Sequence, residues 1–225
     1  ALRFASRFGF DIGREEWSAM ESVAPEVVDN VSVERIFMEI GKAFKDDRPN
    51  RFLNGIVELG ILEDVLGESV GRLPPMIESL QGVKDRLVAF IGFVHERTGL
   101  GFDEIQESLK LPNGMVSDAR RTFNLLDALS SNGSEAERRK LLADHMDVLN
   151  FAQNIGTRVF GMPISMFEEP EDVPLQPVLS GQDLIDVGVE EGPKVGEMLE
   201  RAHEIQLSEG IEDPEVLLER IGHLP

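Results

Sequence analysis

The chain has 225 residues, 41% hydrophobic and 28% charged, enough to bury a real core and unlike a disordered segment. Its longest uninterrupted apolar run, Leu87 to Val94, is too short to cross a bilayer, and no basic start followed by an apolar stretch marks a signal peptide. With no cysteine there is no disulfide framework and no thiolate metal site, so a reducing, cytoplasmic setting is expected.

The net charge of −20 is unevenly spread. The first 51 residues carry eight basic and ten acidic side chains, whereas residues 168–225 carry three and sixteen. An acidic surface repels nucleic acid, but salt confines that repulsion to roughly 8–10 Å, so local basic spots can still bind it.

Helical periodicity dominates the chain. Ala1 to Phe8 has neither an initiator methionine nor an N-cap and reads as the later turns of a helix already under way. The expectation is a chain cut from a longer protein; methionine removal before an ordered N-terminal helix is the alternative. Ser32 caps a helix whose apolar face is Ile36, Phe37, Ile40 and Phe44, broken at Arg48-Pro49-Asn50. Phe52, Ile56 and Leu59 mark the next helix, ending near Gly60, and Val83, Leu87, Phe90, Ile91 and Val94 another. Asp103 caps a short helix with Ile105 and Leu109, Pro112-Asn113-Gly114 signals a turn, and Val116, Ala119, Phe123 and Leu126 line a further helix. Ser134-Glu135-Ala136-Glu137 is a capping box opening a helix expected to reach Leu149. Arg158 to Phe167 is a weak strand candidate. Near the end, Asp213-Pro214 caps a helix bearing Val216, Leu217 and Ile221.

The expected fold is all-α, a multi-helix main body with a small C-terminal helical module. The expected divisions are 1–66, 67–166, 167–179 (an acidic, proline-containing linker) and 180–225 (the C-terminal module).

Catalytic signatures are missing from the sequence: there is no Walker loop, G-x-G-x-x-G or H-E-x-x-H. His95, His145, His203 and His223 are scattered, and neither Val94-His95-Glu96 nor Asp144-His145-Met146-Asp147 makes a metal cluster, so no catalytic or metal residue is assigned.

Two segments carry more information. On Ser32 to Phe44, Glu34, Arg35, Glu39 and Lys42 form a polar lattice; Arg35 and Glu39 are spaced to pair, as are Glu39 and Lys42. In Asp183 to Leu199 a short helix ends near Gly188 and a new one begins at Gly192-Pro193. The unpaired N–H groups of that helix start suit one phosphate, Lys194 adds a cation, and the arrangement resembles half of a helix-hairpin-helix grip. An ordinary helix–turn–helix corner is the alternative, and the adjacent Glu190 and Glu191 favour it.

Taken in order, these segments resemble the class II tRNA nucleotidyltransferases, the CCA-adding enzymes and their poly(A) polymerase relatives. Arg3-Phe4-Ala5-Ser6-Arg7-Phe8-Gly9-Phe10 is similar to that family's neck helix, "RFAARLGF". Ser32-Val33-Glu34-Arg35-Ile36 through Lys42 resembles "S-x-E-R-I-x-x-E-x-x-K", and Leu59-Gly60-Ile61-Leu62 resembles "ELGLL". Gly181-Gln182-Asp183-Leu184 through Leu199 looks like the family's motif near its C-terminus. The resemblance covers residues 1 to about 65 and 180 to 222.

This resemblance implies a neck, body and tail that hold the acceptor stem and elbow of tRNA. Mg²⁺ carboxylates and CTP or ATP selection would lie in a catalytic head, in cis or trans, so this chain alone is expected to be inactive. Arg3, Arg35, Glu39 and Lys42 would brace the neck and nucleotide pocket. Gly192, Lys194 and Gly196 would contact RNA backbone, as would Arg120 and Arg121. No membrane partner is implied. Two alternatives stay open: a noncatalytic helical subunit that docks a separate head, and a poly(A) polymerase fragment.

Overall fold

The computed structural model describes residues 1–131, 133–168 and 173–222, and for Met76 the backbone alone. Part of the expected linker over 167–179, and His223, lie outside the described residues. Those residues form α-helices and short 3₁₀ turns, with no strand among them. The strand candidate at Arg158 to Phe167 is instead the end of one helix, an irregular Gly161-Met162-Pro163 corner and a 3₁₀ turn at Ile164–Met166. Proline and a left-handed Gly161, φ 68°, leave no run long enough to alternate.

The chain divides into two compact units, Ala1–Phe123 with Phe151–Met162, and Asn124–Asn150 with Pro163–Pro225. The first contains α1 (Leu2–Phe8), α2 (Arg14–Val23), α3 (Pro25–Asn30), α4 (Val33–Ala43), α5 (Pro49–Glu58) and α6 (Ile61–Leu66). A 3₁₀ turn at Pro75–Ser79 leads to α7 (Val83–Thr98) and α8 (Phe102–Leu109), joined by parts of α9 (Asn113–Ser130) and α11 (Leu149–Val159).

In α4, Ile36, Ile40 and Ala43 recur at helical spacing and are buried, as the periodicity requires. Phe44, just past its end, packs edge-on against Phe90 of α7, ring centroids 5.9 Å apart. Leu53, Leu62, Ile91, Ile105 and Leu109 complete this core, each burial stabilising by roughly 1.5–3 kcal/mol. Pro49 does not break a helix but opens α5, because the chain has already turned between Phe44 and Arg48 and proline suits a first turn. Gly101 rather than Asp103 takes the N-cap of α8, its N–H donating to Glu104 Oε2 at 2.7 Å. Pro112-Asn113-Gly114, read as a turn, is where α9 starts.

Arg86 ties the first unit together. Its guanidinium donates to the carbonyls of Leu80 (2.7 Å), Phe44 (2.8 Å), Asp46 (3.0 Å) and Glu78 (3.2 Å). These oxygens lie in or just past the last turns of α4 and the 3₁₀ helix, where helical backbone leaves acceptors without internal partners.

In the second unit Ser134 caps α10 (Glu135–Asp144): its hydroxyl accepts the Glu137 N–H at 3.3 Å while Glu137 accepts the Ser134 N–H at 2.6 Å. The helix stops at Asp144 rather than Leu149, since His145 leaves helical geometry at φ −120°, ψ 20°. Then come α12 (Gly181–Asp186), α13 (Pro193–Glu209) and α14 (Pro214–Gly222), sharing a small core of Leu179, Leu184, Ala202, Leu217 and Ile221. Arg139, buried, donates to Leu207 O at 2.9 Å near the end of α13. Gln206, also buried, donates to the carbonyls of Pro174 (2.6 Å) and Gln176 (2.9 Å) and accepts the Val178 N–H at 3.1 Å. One glutamine thus pins the 174–178 stretch to α13.

Candidate nucleic-acid interface

In α1 the small residues face inward. Leu2, Ala5 and Ser6 are buried, and the Ser6 hydroxyl donates to Arg48 O at 2.8 Å, locking α1 to the start of α5. Arg3 reaches from α1 to two carboxylates, Asp46 and, at 3.4 Å, Glu39 of α4. Glu39 also takes Lys42 at 2.6 Å. The expected Arg35–Glu39 pair does not form, because Arg3 and Lys42 already occupy that carboxylate. Arg35 makes no ion pair among the described residues. It lines, with Arg3 and Glu39, an apolar cleft of about 440 Å³ walled by Val23, Val27 and Phe52. Arg3, Glu39 and Lys42 thus form one charge network, and Arg35 stands at its edge.

A wider cleft of about 1090 Å³ adjoins α1 and α5 and is lined by Gly9, Trp17, Arg48, Arg51 and Arg72. Arg51 is paired with Asp11, but Arg48 and Arg72 have no carboxylate partner among the described residues. Asp11, Glu58 and Glu78 share the lining of that cleft. Sequence reasoning missed Arg48 and Arg72; an arginine beside a proline or in a loop gives no periodic signal.

The second unit holds the other predicted group. Ser180 caps α12, and the Val189 N–H returns to Leu184 O at 3.0 Å, closing the turn. Gly192 precedes α13 with φ 156° and ψ −170°, a region open in practice to glycine alone. Lys194 and Gly196 follow on the exposed first turn, Lys194 without an ion-pair partner among the described residues. Glu190 and Glu191 are exposed beside them.

Several other basic residues make contacts within the fold. Arg120 pairs with Asp103 at 2.6 Å and lies 5.8 Å from the centre of the Phe102 ring, and Arg121 is half-buried. Arg138 pairs with Glu135 at 2.9 Å, and Lys140 with Glu204 at 3.2 Å.

No group of three or more His, Asp or Glu among the described residues is placed to hold a metal ion, so these residues do not fit the Mg²⁺ that nucleotidyl transfer needs. No helix among them is long and apolar enough to cross a membrane.

Residues 9–69 match the family described as "Probable RNA and SrmB-binding site of polymerase A". The chain is 31% identical over 85 residues to the Multifunctional CCA protein of Laribacter hongkongensis (strain HLHK9), an alignment covering 37% of this chain and 19% of that protein. Its fold is that of the Bacillus stearothermophilus CCA-adding enzyme solved with CTP, at a TM-score of 0.61 and 20% identity, over 97% of this chain and 60% of the enzyme. A second CCA-adding enzyme solved with CTP gives 0.56 and 16%, over 98% and 57%. The chain is thus similar to a helical portion of the CCA-adding and poly(A) polymerase family. It spans less than two thirds of the length of each of these relatives.

Proposed function

We propose that this chain is the tRNA-holding neck, body and tail of a tRNA nucleotidyltransferase that adds or repairs the 3′-terminal CCA in the cytoplasm. The observation that carries this reading is the likeness to a CCA-adding enzyme along 97% of the chain, with an RNA-binding family match inside it. Nucleotidyl transfer, with its Mg²⁺, CTP and ATP, belongs on this reading to a head domain, joined to this chain or encoded apart. The network of Arg3, Glu39 and Lys42, with Arg35 at its edge, braces the neck against that head. The first turn of α13, with Gly192, Lys194 and Gly196, contacts tRNA backbone, as do Arg120 and Arg121.

The test is competition for the purified chain between tRNA lacking its CCA end and poly(A). Preference for the tRNA supports the reading. Preference for poly(A) favours instead a poly(A) polymerase portion, the alternative suggested by the "polymerase A" in the matched family's description. Mixing the chain with a head polypeptide tests the division of labour. Restored CCA addition by the mixture supports it, and CCA addition by this chain alone overturns it.

A further inference from the structure

On α1 Leu2, Ala5 and Ser6 are buried, while the two phenylalanines, Phe4 and Phe8, point outward. Phe4, Phe8 and Phe10 are 61%, 54% and 63% exposed. They are not scattered. The Phe4 and Phe8 rings lie 5.9 Å apart and within 6° of parallel, and Phe10 continues the row 5.7 Å from Phe8. Arg7 sits 5.2 Å from the centre of the Phe8 ring. Arg7 and Arg48 together line a recess of about 250 Å³ with Ser6, Phe8, Gly9 and Asp47. Neither arginine has an ion-pair partner among the described residues. Gly9 makes room for this: a side-chain carbon there would fall 3.0 Å from the Arg48 guanidinium.

Exposed apolar patches of this kind mark interaction surfaces. Rows of aromatic faces beside uncompensated cations are how proteins hold single strands without reading sequence: bases stack on the rings while phosphates meet the cations. We propose that Phe4, Phe8 and Phe10, with Arg7 and Arg48, form a stacking platform for unpaired bases of single-stranded RNA. The proposal rests on the RNA-binding reading above and adds to it a place, a binding mode and a strand state. Charge complementarity selects the occupant, since Arg7 lies beside the Phe8 ring and Arg48 shares its recess, neither with an ion-pair partner among the described residues.

The test uses the whole chain and a ten-nucleotide oligoadenylate carrying one 2-aminopurine, whose fluorescence is quenched on stacking. Wild-type chain quenches it, with affinity that falls as salt rises. Phe8→Ala and Phe4→Ala each weaken binding roughly ten-fold and reduce the quench, whereas Phe8→Trp retains both. Phe8→Leu separates stacking from mere apolar contact: it keeps most of the apolar area and should still bind about ten-fold more weakly. Circular dichroism confirms that the variants fold. Unchanged affinity of the Phe4→Ala/Phe8→Ala double variant overturns the platform while leaving RNA binding intact. Failure of the wild-type chain to bind both this oligonucleotide and tRNA overturns the platform and the broader reading together. If the double variant instead abolishes self-association of the chain and leaves RNA affinity unchanged, the rings are a protein interface and the platform is again overturned.

Discussion

Gly92 of α7 lies against the ring of Phe123 of α9 so closely that a side-chain carbon added at position 92 would fall 1.9 Å from two of its atoms. The two helices meet there at a separation only glycine permits. Gly92→Ala should therefore destabilise the chain by about 3 kcal/mol, through overpacking of a buried contact. Urea unfolding measures it. Combining it with Phe123→Ala should give less than the sum of the two single losses, because truncating the ring removes the clash.

Arg86 satisfies four carbonyls with one planar group. Lysine keeps the charge but cannot reach four oxygens from a single ammonium. Arg86→Lys should cost about 3 kcal/mol in chemical denaturation, close to the effect of Arg86→Met. A lysine variant as stable as wild type would show that the fork geometry does not matter.

The two cations on Glu39 should behave differently. The Arg3 partner Asp46 is 8% exposed at its side chain, so Arg3→Ala strands a buried carboxylate and should cost about 2–3 kcal/mol. Lys42 is exposed, and Lys42→Ala should cost less than about 0.5 kcal/mol. Thermal melts of the two single variants decide the order.

Glu137 is held below the usual carboxylate range, first by the Ser134 backbone N–H and then by the Ser134 hydroxyl. Its contribution to stability is therefore complete above the unfolded-state value and is lost as acidification passes through the lower folded-state value. Ser134→Ala should cost about 1 kcal/mol at neutral pH and make the acid limb of the stability profile shallower. An unaltered acid limb would mean that the Ser134 hydroxyl adds nothing to what the backbone N–H does for this titration.

Lys194→Glu should weaken tRNA binding measurably at low salt, because it reverses the exposed cation on the first turn of α13. Affinity indistinguishable from wild type at low salt removes Lys194 from the interface.

What could be read from the residues was what repeats along them. Ile36, Ile40, Leu87 and Phe90 announced their helices by spacing, and Ser134 with Glu137 announced a helix start that the structure contains. What escaped depends on residues far apart in the chain. α2 lacks a single buried residue, so no apolar stripe marks it. Arg86 and Gln206 look like surface residues until distant carbonyls arrive around them. Glu39 was placed correctly on its helix, but its partner Arg3 comes from α1, 36 positions away. The outward turn of Phe4 and Phe8 inverts the ordinary rule for large apolar side chains, so no periodicity argument would have found it.

The wiring of the second unit restricts how such a protein can be recombined. Its α10 is supplied from mid-chain and its α13 from the C-terminal stretch, with α11 running through the first unit between them. A hybrid made by one crossover near residue 167 would take Arg139 from one parent and the Leu207 carbonyl it grips from the other. Parents must therefore be compatible at that seam, or α10 must travel with the C-terminal stretch through a second crossover.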